Sequence, residues 1–210
     1  MTFAPHLEVL PSAQRELWPE LRAVPTRYVL YGGTALALRL GHRASADFDF
    51  FAHDALDHRE LEALPFLRGA TTLQETPDAR TVIASGVKLS FFGGIRFGRV
   101  GEPDIEGGVR VASLLDLAGT KLKALLQRVE AKDYLDIAAL LAHGVSLPEI
   151  LGATAALFGS AFNPITARKA LCYFEGGDLA GLDAAIRRQL ETAASADVQP
   201  ADIRLSASTL

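Results

Sequence analysis

The spacing of apolar and polar residues divides the chain into an α/β part and a helical part. In the first part, short apolar runs and period-two alternation predict five strands, at residues 27–31, 46–51, 70–75, 81–84 and 87–92. Apolar residues at helical spacing predict three helices there, at residues 12–23, 34–40 and 55–64. This part therefore predicts a small mixed sheet with helices, whereas the glycine-rich residues 93–108 are predicted to form a loop.

From Ser113 onward the apolar residues recur with the period of a helix. The pattern predicts helices at residues 113–128 and 132–143, then three that start near Ser146, Asn163 and Asp178, the last fading near Ser195. We therefore predict an α/β domain over residues 1–112 and a helical domain over residues 113–195. Residues 196–210 are expected to form a flexible tail.

Composition narrows the class of protein. The 210 residues are 49 % hydrophobic and 22 % charged, which is enough apolar material for a sizeable core. A net charge of −4 and a pI near 5.7 argue against a surface built throughout to bind polynucleotide, so any RNA contact must be local. The sequence shows no apolar run of about 18 residues and no signal peptide, which predicts a cytoplasmic protein without membrane contact. Cys172, beside Leu171 and Tyr173, is expected to be a small buried hydrophobe.

Two aspartates on the predicted strand 46–51 are the strongest chemical signal. Side chains two apart on a strand project from one face, so Asp47 and Asp49 can converge while Phe48 and Phe50 pack on the other face. Magnesium binds nucleotide phosphates through one or two carboxylates, completed by phosphate oxygens and water. Asp47 and Asp49 are therefore the candidate ligands of Mg²⁺ or Mn²⁺.

A glycine turn precedes these acids and supplies groups that suit a phosphate. At Gly32 and Gly33 no Cβ blocks the approach of a phosphate to the backbone amides, and Thr34 is expected to cap the helix that follows. Arg43 and Ser45 lie just before the acids and are candidate phosphate contacts, although a surface salt bridge is an equal interpretation for Arg43.

In combination these motifs resemble a known family. The Gly-Gly-Thr turn followed by an acidic pair is similar to the opening motif of DNA polymerase β-like nucleotidyltransferases. The likeness extends to the AbiEii/AbiGii toxin family over about residues 28–142, through a further set of residues: His42, Arg43, Ser45, the run Val87 to Phe92, Lys121, Lys132, Asp133, Tyr134 and Asp136.

The resemblance implies a polymerase β-like nucleotidyltransferase core followed by a C-terminal helical bundle. It implies transfer of NMP from an NTP to an acceptor hydroxyl, for example at a tRNA end, by a toxin of a toxin-antitoxin or phage-defence system with an antitoxin as partner. Asp47, Asp49, Lys121 and Asp133 are then the catalytic candidates. The nucleotide-binding candidates are Gly32, Gly33, Thr34, Arg43, Ser45, Lys88, Lys132 and Asp136.

One position departs from the polymerase β-like pattern and keeps two alternatives open. Those enzymes carry a third carboxylate on a later strand, where this chain has Ser90; Asp116, Asp133 and Asp136 are the candidate substitutes. One alternative is therefore a catalytically silent relative that binds nucleotide or a partner. Another, with less support along the chain, is a metal-dependent glycosyltransferase, since an Asp-x-Asp pair also suits a sugar nucleotide.

Overall fold

A computed structural model describes residues 3–195 and 198–210. The chain forms two compact units, one comprising Met1–Ser113 with Ala207–Leu210 and the other Leu114–Ser206. The first unit is built around a β-sheet and the second is helical.

The sheet of the first unit is mixed, as predicted. Within the described residues its strands are β1 (Val29–Tyr31), β2 (Asp47–Phe51), β3 (Thr71–Thr76), β4 (Ala79–Ala84), β5 (Val87–Phe92), β6 (Asp104–Glu106) and β7 (Val109–Val111). Their order across the sheet is β3-β4-β5-β2-β1-β7-β6. Strand β2 lies at the centre, parallel to β5 and antiparallel to β1. The acid-bearing strand therefore has a backbone partner on both sides.

One face of this sheet forms the core of the first unit. Phe48 and Phe50 of β2 and Leu89 and Phe91 of β5 are all 0 % exposed. The rings of Phe50 and Phe91 stack with their centroids 5.3 Å apart. Burying a side chain of this size stabilises the fold by about 1.5–3 kcal/mol. The side chains between them along each strand necessarily point to the opposite face.

Among the residues that the structure describes, three α-helices flank the strands of the first unit: α1 (Ser12–Leu17), α2 (Gly32–Leu40) and α3 (His58–Glu62). The helix predicted at 12–23 is divided, because Pro19 cannot donate to an α-helical hydrogen bond and residues Trp18–Ala23 form a 3-10 helix instead. Helix α3 is shorter than the predicted 55–64, because the Asp57 carboxylate accepts bonds from the Arg59 and Glu60 amides and sets its start.

The loop predicted at 93–108 ends in a hairpin that the sequence pattern missed. Gly107 and Gly108 adopt φ values of 57° and 83° and join β6 to β7. The strands have only three residues each, too few for period-two alternation to be visible in the sequence.

The second unit contains five α-helices within the described residues: α4 (Leu114–Gln127), α5 (Ala131–Ala142), α6 (Leu147–Phe158), α7 (Pro164–Leu171) and α8 (Ala184–Ser195). The predicted caps Ser146 and Asn163 accept hydrogen bonds from the Glu149 and Thr166 amides. Helix α8 starts later than predicted at Asp178, because Asp183 accepts from the Ala185 amide while residues 179–181 form a 3-10 turn. None of the helices among the described residues combines the length and the hydropathy that a membrane-spanning segment needs.

The predicted flexible tail starts at Ala196 and Asp197, which lie outside the described residues. After them, the Ala201 amide donates to the Pro148 carbonyl at 2.8 Å, within the second unit. Ala207 then pairs with Arg99 in an antiparallel bridge, within the first unit. The C-terminal segment is therefore hydrogen-bonded at two separate places.

The prediction for Cys172 was wrong, since this residue is exposed. Helix α7 ends at Leu171, which is buried, and the chain turns away from the core at the next residue. Partial burial and the nearby Glu191 carboxylate raise the pKa of the Cys172 thiol. A thiol of this kind is a poor nucleophile.

The capping box of α6 gives a test of the helical unit. The Ser146 hydroxyl and amide both bond the Glu149 carboxylate, which holds the pKa of Glu149 below its ordinary value of 4.5. We expect Ser146→Ala to lower the free energy of unfolding by about 1 kcal/mol in urea at pH 7. Because the folded pKa of Glu149 is depressed, its ionised form stabilises the fold above the unfolded pKa, and this part disappears as the pH falls through the folded pKa.

The difference between wild type and Ser146→Ala should therefore shrink below about pH 4.5. Ser160→Ala, at an exposed position of the same unit, is the matched control and should leave stability within about 0.5 kcal/mol of wild type. A Ser146→Ala effect that stays constant from pH 7 to pH 3 would contradict this account.

Candidate functional site

Strand β2 presents its two aspartates on the face of the sheet opposite the core. Burial alternates along it, with Phe48 and Phe50 fully buried and Asp47, Asp49 and Phe51 partly exposed. This is the alternation that the sequence predicted. The two carboxylates thus share one face, and the backbone pairing on both sides of β2 fixes their direction.

The Asp49 carboxylate lies directly against the glycine turn. Gly32 opens α2 with a φ of 76°, and a Cβ built there would come within 2.6 Å of Asp49 Oδ2. A side chain at this position would therefore clash with the carboxylate as well as strain the backbone. Glycine is required here by both its conformation and its size.

Gly33 lies against the side chains of Arg43 and Ser45, the two predicted phosphate contacts. A Cβ on Gly33 would lie 2.8 Å from Arg43 Nη2 and 3.0 Å from Ser45 Oγ. The guanidinium and the hydroxyl therefore stand at the first turn of α2, where backbone amides have no partner within the helix. Such a helix start attracts anions, and an arginine beside it adds a full positive charge.

Thr34 has a different position from the one predicted. Helix α2 begins at Gly32 with Tyr31 as its N-cap, so Thr34 lies inside the first turn and is not the cap. It is 1 % exposed, and its hydroxyl donates to the Asp47 carbonyl and lies 2.9 Å from Ser45 Oγ. Thr34 therefore joins the start of α2 to the start of β2 and holds Ser45 in place.

Strand β5 contributes a lysine and a serine to the same face. Because β2 and β5 are in parallel register, Asp47 is paired with Lys88 and Asp49 with Ser90. Lys88 Nζ lies 3.0 Å from Asp47 Oδ2, and both side chains are nearly half exposed. Ser90 is 3 % exposed and lies 3.4 Å, oxygen to oxygen, from the Thr81 hydroxyl. Ser90, where the resemblance leads one to expect a third carboxylate, is therefore a buried hydroxyl beside Asp49.

Asp47 and Asp49 suit a single metal ion that is shared with a nucleotide, and they do not suit a metal site made by the protein alone. Among the described residues no group of three or more His, Cys, Asp and Glu side chains is placed to hold a metal ion. Two carboxylates on one face do suit a Mg²⁺ ion that takes its other ligands from nucleotide phosphates and water. Asp47 and Asp49 fit an ion that arrives with its nucleotide, whereas a two-metal site lacks its third carboxylate.

In the second unit, three of the predicted residues form a buried ion cluster. Asp133 and Asp136 of α5 are 0 % exposed, and Lys121 of α4 is 5 % exposed. Lys121 Nζ lies 2.6 Å from Asp136 Oδ2 and 3.4 Å from Asp133 Oδ1. One ammonium thus serves two carboxylates inside the helical unit, where an unpaired charge would be costly.

Arg128 completes this cluster, and it is not among the residues that the sequence predicts. Its Nε and Nη2 bond the two oxygens of Asp133 at 2.7 and 3.0 Å, a bidentate contact. No sequence pattern indicates this contact, since Arg128 follows the end of α4 and no helical spacing links it to Asp133. Lys132 points elsewhere: it is exposed, and its Nζ pairs with Glu130 at 2.6 Å.

Solved structures show which fold these elements form. The chain is similar to a crystal structure described as a nucleotidyltransferase from H. pylori, with a TM-score of 0.56 and 18 % identity over 87 % of this chain and 92 % of that one. It is also similar to MenT4, a nucleotidyltransferase toxin from Mycobacterium tuberculosis H37Rv, with a TM-score of 0.52, 16 % identity and coverage of 90 % and 87 %. At these identities the likeness establishes the fold, which is that of nucleotidyltransferases.

The family follows from the sequence. The family model "Nucleotidyl transferase AbiEii toxin, Type IV TA system" matches residues 21–204. The chain therefore belongs to the AbiEii family of nucleotidyltransferase toxins, which confirms the resemblance. An uncharacterized protein from Aquifex aeolicus (strain VF5) is 34 % identical over 132 residues, which are 59 % of this chain. The match spans 62 % of the length of that relative.

The contact between Gly32 and Asp49 can be tested against a matched glycine. Gly32 and Gly69 have nearly the same φ, 76° and 77°, but a Cβ on Gly69 would meet nothing within 4 Å. We expect Gly69→Ala to cost about 1–2 kcal/mol of unfolding free energy, from the left-handed backbone alone. Gly32→Ala should cost more in the same urea titration, because it also displaces the Asp49 carboxylate; equal costs would contradict the contact.

The buried ion cluster makes a prediction about stability. Lys121→Met removes the ammonium from two buried carboxylates, and we expect unfolding free energy to fall by about 3–5 kcal/mol. Lys132→Met, which removes a half-exposed lysine from the same unit, should cost about 1 kcal/mol at most. Thermal and urea unfolding of both variants measure these two losses of unfolding free energy. Similar losses for the two lysines would show that the Lys121 cluster is not a stabilising element.

Proposed function

We propose that this protein transfers NMP from an NTP to a hydroxyl of an RNA acceptor, such as a tRNA end, and acts as the toxin of a toxin-antitoxin pair. One observation carries the proposal. The glycine turn that opens α2 lies against Asp49, Arg43 and Ser45, on the sheet face that also presents Asp47. A helix start, a cation and two carboxylates are thereby gathered where a triphosphate and its metal need them.

Each group on this face has a role in binding the nucleotide. The amides of the first turn of α2 bind phosphate oxygens, and the Arg43 guanidinium binds them with two parallel hydrogen bonds. Asp47 and Asp49 hold the divalent ion, Mg²⁺ or Mn²⁺, which when bound neutralises the charge of the phosphates. Lys88 stays beside Asp47 and limits the repulsion that two carboxylates would otherwise exert on a triphosphate.

The transfer itself depends on how these residues place the α-phosphate. The acceptor hydroxyl gives up its proton to solvent, its oxygen forms a bond to the α-phosphorus as the bond to the bridging oxygen breaks, and pyrophosphate leaves. Positioning supplies much of the acceleration in such a displacement. The rigid pairing of β2 with β1 and β5 keeps the carboxylates fixed during this step.

For the helical unit we keep the assignment that the family implies. Lys121 and Asp133 are proposed as catalytic residues, with Lys132 and Asp136 as nucleotide contacts. The Lys132 ammonium is exposed and would exchange its Glu130 partner for a phosphate, whereas Lys121, Asp133 and Asp136 are buried and pair with one another. A type IV toxin-antitoxin system also implies an antitoxin, which we propose as the regulatory partner in a cytoplasmic, phage-defence role.

A second candidate function rests on a different observation. Ser90 stands beside Asp49 where polymerase β-like enzymes carry a third carboxylate, and Lys88 already pairs with Asp47. A relative that binds nucleotide without transferring it would show this pattern. Calorimetry with a non-hydrolysable NTP analogue measures binding, and pyrophosphate release measures turnover; binding without turnover would favour the silent relative.

The transfer reaction is tested with each α-labelled NTP, Mg²⁺ and total tRNA. We expect label to enter RNA with one or two of the NTPs, with pyrophosphate as the second product. Asp47→Asn and Asp49→Asn should each lower the rate by at least about a hundredfold, because charge stabilisation at the transferred phosphate is lost.

Asp54→Asn is the matched control, since this aspartate is exposed and lies in the same unit five residues beyond Asp49. Its rate should stay within about twofold of wild type. If no NTP labels RNA, and both site variants bind nucleotide as wild type does, the transferase proposal fails.

A further inference from the structure

The sheet face that carries the aspartates continues into a cluster of aromatic rings. Tyr31 of β1 is paired with Asp49 across the strands, and Phe51 follows Asp49 by two residues on the same face. Phe92 is the partner of Phe51 on β5. The fourth ring, Phe97, comes from the loop after β5. We call these four residues the aromatic cluster.

The rings of the aromatic cluster contact one another directly. Tyr31 stacks on Phe51 with centroids 5.1 Å apart, and Phe97 meets both rings edge-on at 5.8 and 6.1 Å. Phe92 meets Phe51 edge-on at 5.3 Å. Tyr31 is buried, whereas the three phenylalanines keep part of their surface exposed. The face of the sheet that carries Asp47 and Asp49 therefore continues into a partly exposed aromatic surface. This surface begins at Tyr31, the cross-strand partner of Asp49.

Three arginines accompany this aromatic surface. Residues 93–101, the aromatic-arginine loop, read Gly-Gly-Ile-Arg-Phe-Gly-Arg-Val-Gly, so Arg96 and Arg99 flank Phe97. Arg96 is exposed and has no ion-pair partner among residues 3–195 and 198–210. Arg110 of β7 shares the face of Tyr31, because the neighbours of these two residues, Leu30 and Val111, are paired.

The structure holds two of these arginines close together despite their like charge. Burial and the nearby Arg99 guanidinium lower the pKa of Arg110, against the opposing effect of Glu102. Glu102 balances part of the charge, with its Oε1 2.9 Å from Arg99 Nη2, but it is 70 % exposed. Among the described residues neither Arg96 nor Arg110 forms an ion pair, so this surface carries positive charge on a chain whose net charge is −4.

The aromatic-arginine loop is fixed at both ends. Near its start, the Gly94 amide donates to the Asp54 carbonyl at 2.7 Å and the Ile95 amide to the Ala52 carbonyl at 3.0 Å. Near its end, Arg99 and Ala207 form an antiparallel bridge. The loop thus presents Arg96 and Phe97 from a fixed backbone, and little conformational entropy is lost when a ligand binds.

We propose that this surface, made of the aromatic cluster and Arg96, Arg99 and Arg110, binds the single-stranded end of the RNA acceptor. Bases stack on exposed aromatic faces and phosphates bind arginine, which is the combination that single-stranded RNA recognition uses. The surface is continuous with the carboxylate face, so a strand lying on it brings its terminal hydroxyl toward Asp49. The assignment rests on the proposed transferase function and names the acceptor as an unpaired end.

The carboxylates of an acidic peptide would form ion pairs with the arginines, but such a peptide has no flat bases to stack on the phenylalanines. A duplex would offer phosphates but keeps its bases inside the helix. Unpaired RNA is the ligand that uses both parts of the surface.

The test measures binding of a fluorescently labelled, single-stranded RNA 12-mer to the full chain by anisotropy, without nucleotide. Phe97→Leu keeps an apolar side chain but removes the ring, and we expect a loss of affinity of about fivefold or more. Arg96→Gln should reduce the slope of log K against log salt by about 0.7, the value for one phosphate contact on a single strand. Arg68→Gln, at an exposed arginine elsewhere in the first unit, is the matched control and should change neither.

The outcomes separate this surface from the transferase function. The proposal is overturned if wild type does not bind the RNA, or if Arg96→Gln and Phe97→Leu bind it as wild type does. It is also overturned if an RNA duplex binds as tightly as the single strand, or if polyglutamate competes as well as RNA. These results hold whatever the transfer assay shows. Weakened binding in both variants supports it, even if pyrophosphate is never released, in which case the transferase proposal alone fails. Urea unfolding of Phe97→Leu shows whether the variant remains folded, and Arg96→Gln tests the surface independently of packing.

Discussion

The contact between the backbone at Gly32 and the carboxylate of Asp49 determines the geometry of the rest of the site. It requires a residue without Cβ in a left-handed conformation, at the point where β1 passes into α2. It also requires β2 to be antiparallel to β1 in the register that sets Asp49 opposite Tyr31. Once both conditions hold, the first turn of α2, the acidic face of β2 and the aromatic ring beside it have fixed relative positions.

The parts of this arrangement that follow from local periodicity could be predicted. Alternation along β2 assigned the aspartates and phenylalanines to opposite faces, and the two glycines marked the turn before α2. The helix caps Ser146 and Asn163 could also be predicted, because capping depends on residues three or four apart. Local rules were sufficient in each of these cases.

The parts that depend on distant residues could not be predicted. Thr34 is a residue type that often caps helices, yet its hydroxyl donates to the carbonyl of Asp47, thirteen residues later. Arg128 donates two hydrogen bonds to Asp133, although no helical spacing relates the two residues. The burial of Asp133 and Asp136 depends on packing between α4 and α5. Cys172 was misassigned because apolar neighbours in sequence do not reveal where a helix ends. Tertiary contacts decided all of these positions.

The bridge between Arg99 and Ala207 has a consequence for synthesis of the protein. Residues 207–210 leave the ribosome only after the whole helical unit, although they belong to the sheet-containing unit. Until Ala207 has been made, the Arg99 amide and carbonyl lack the two backbone hydrogen bonds of this bridge. The aromatic-arginine loop therefore depends on a contact of long sequence separation, and such contacts form slowly because the intervening chain must first be ordered.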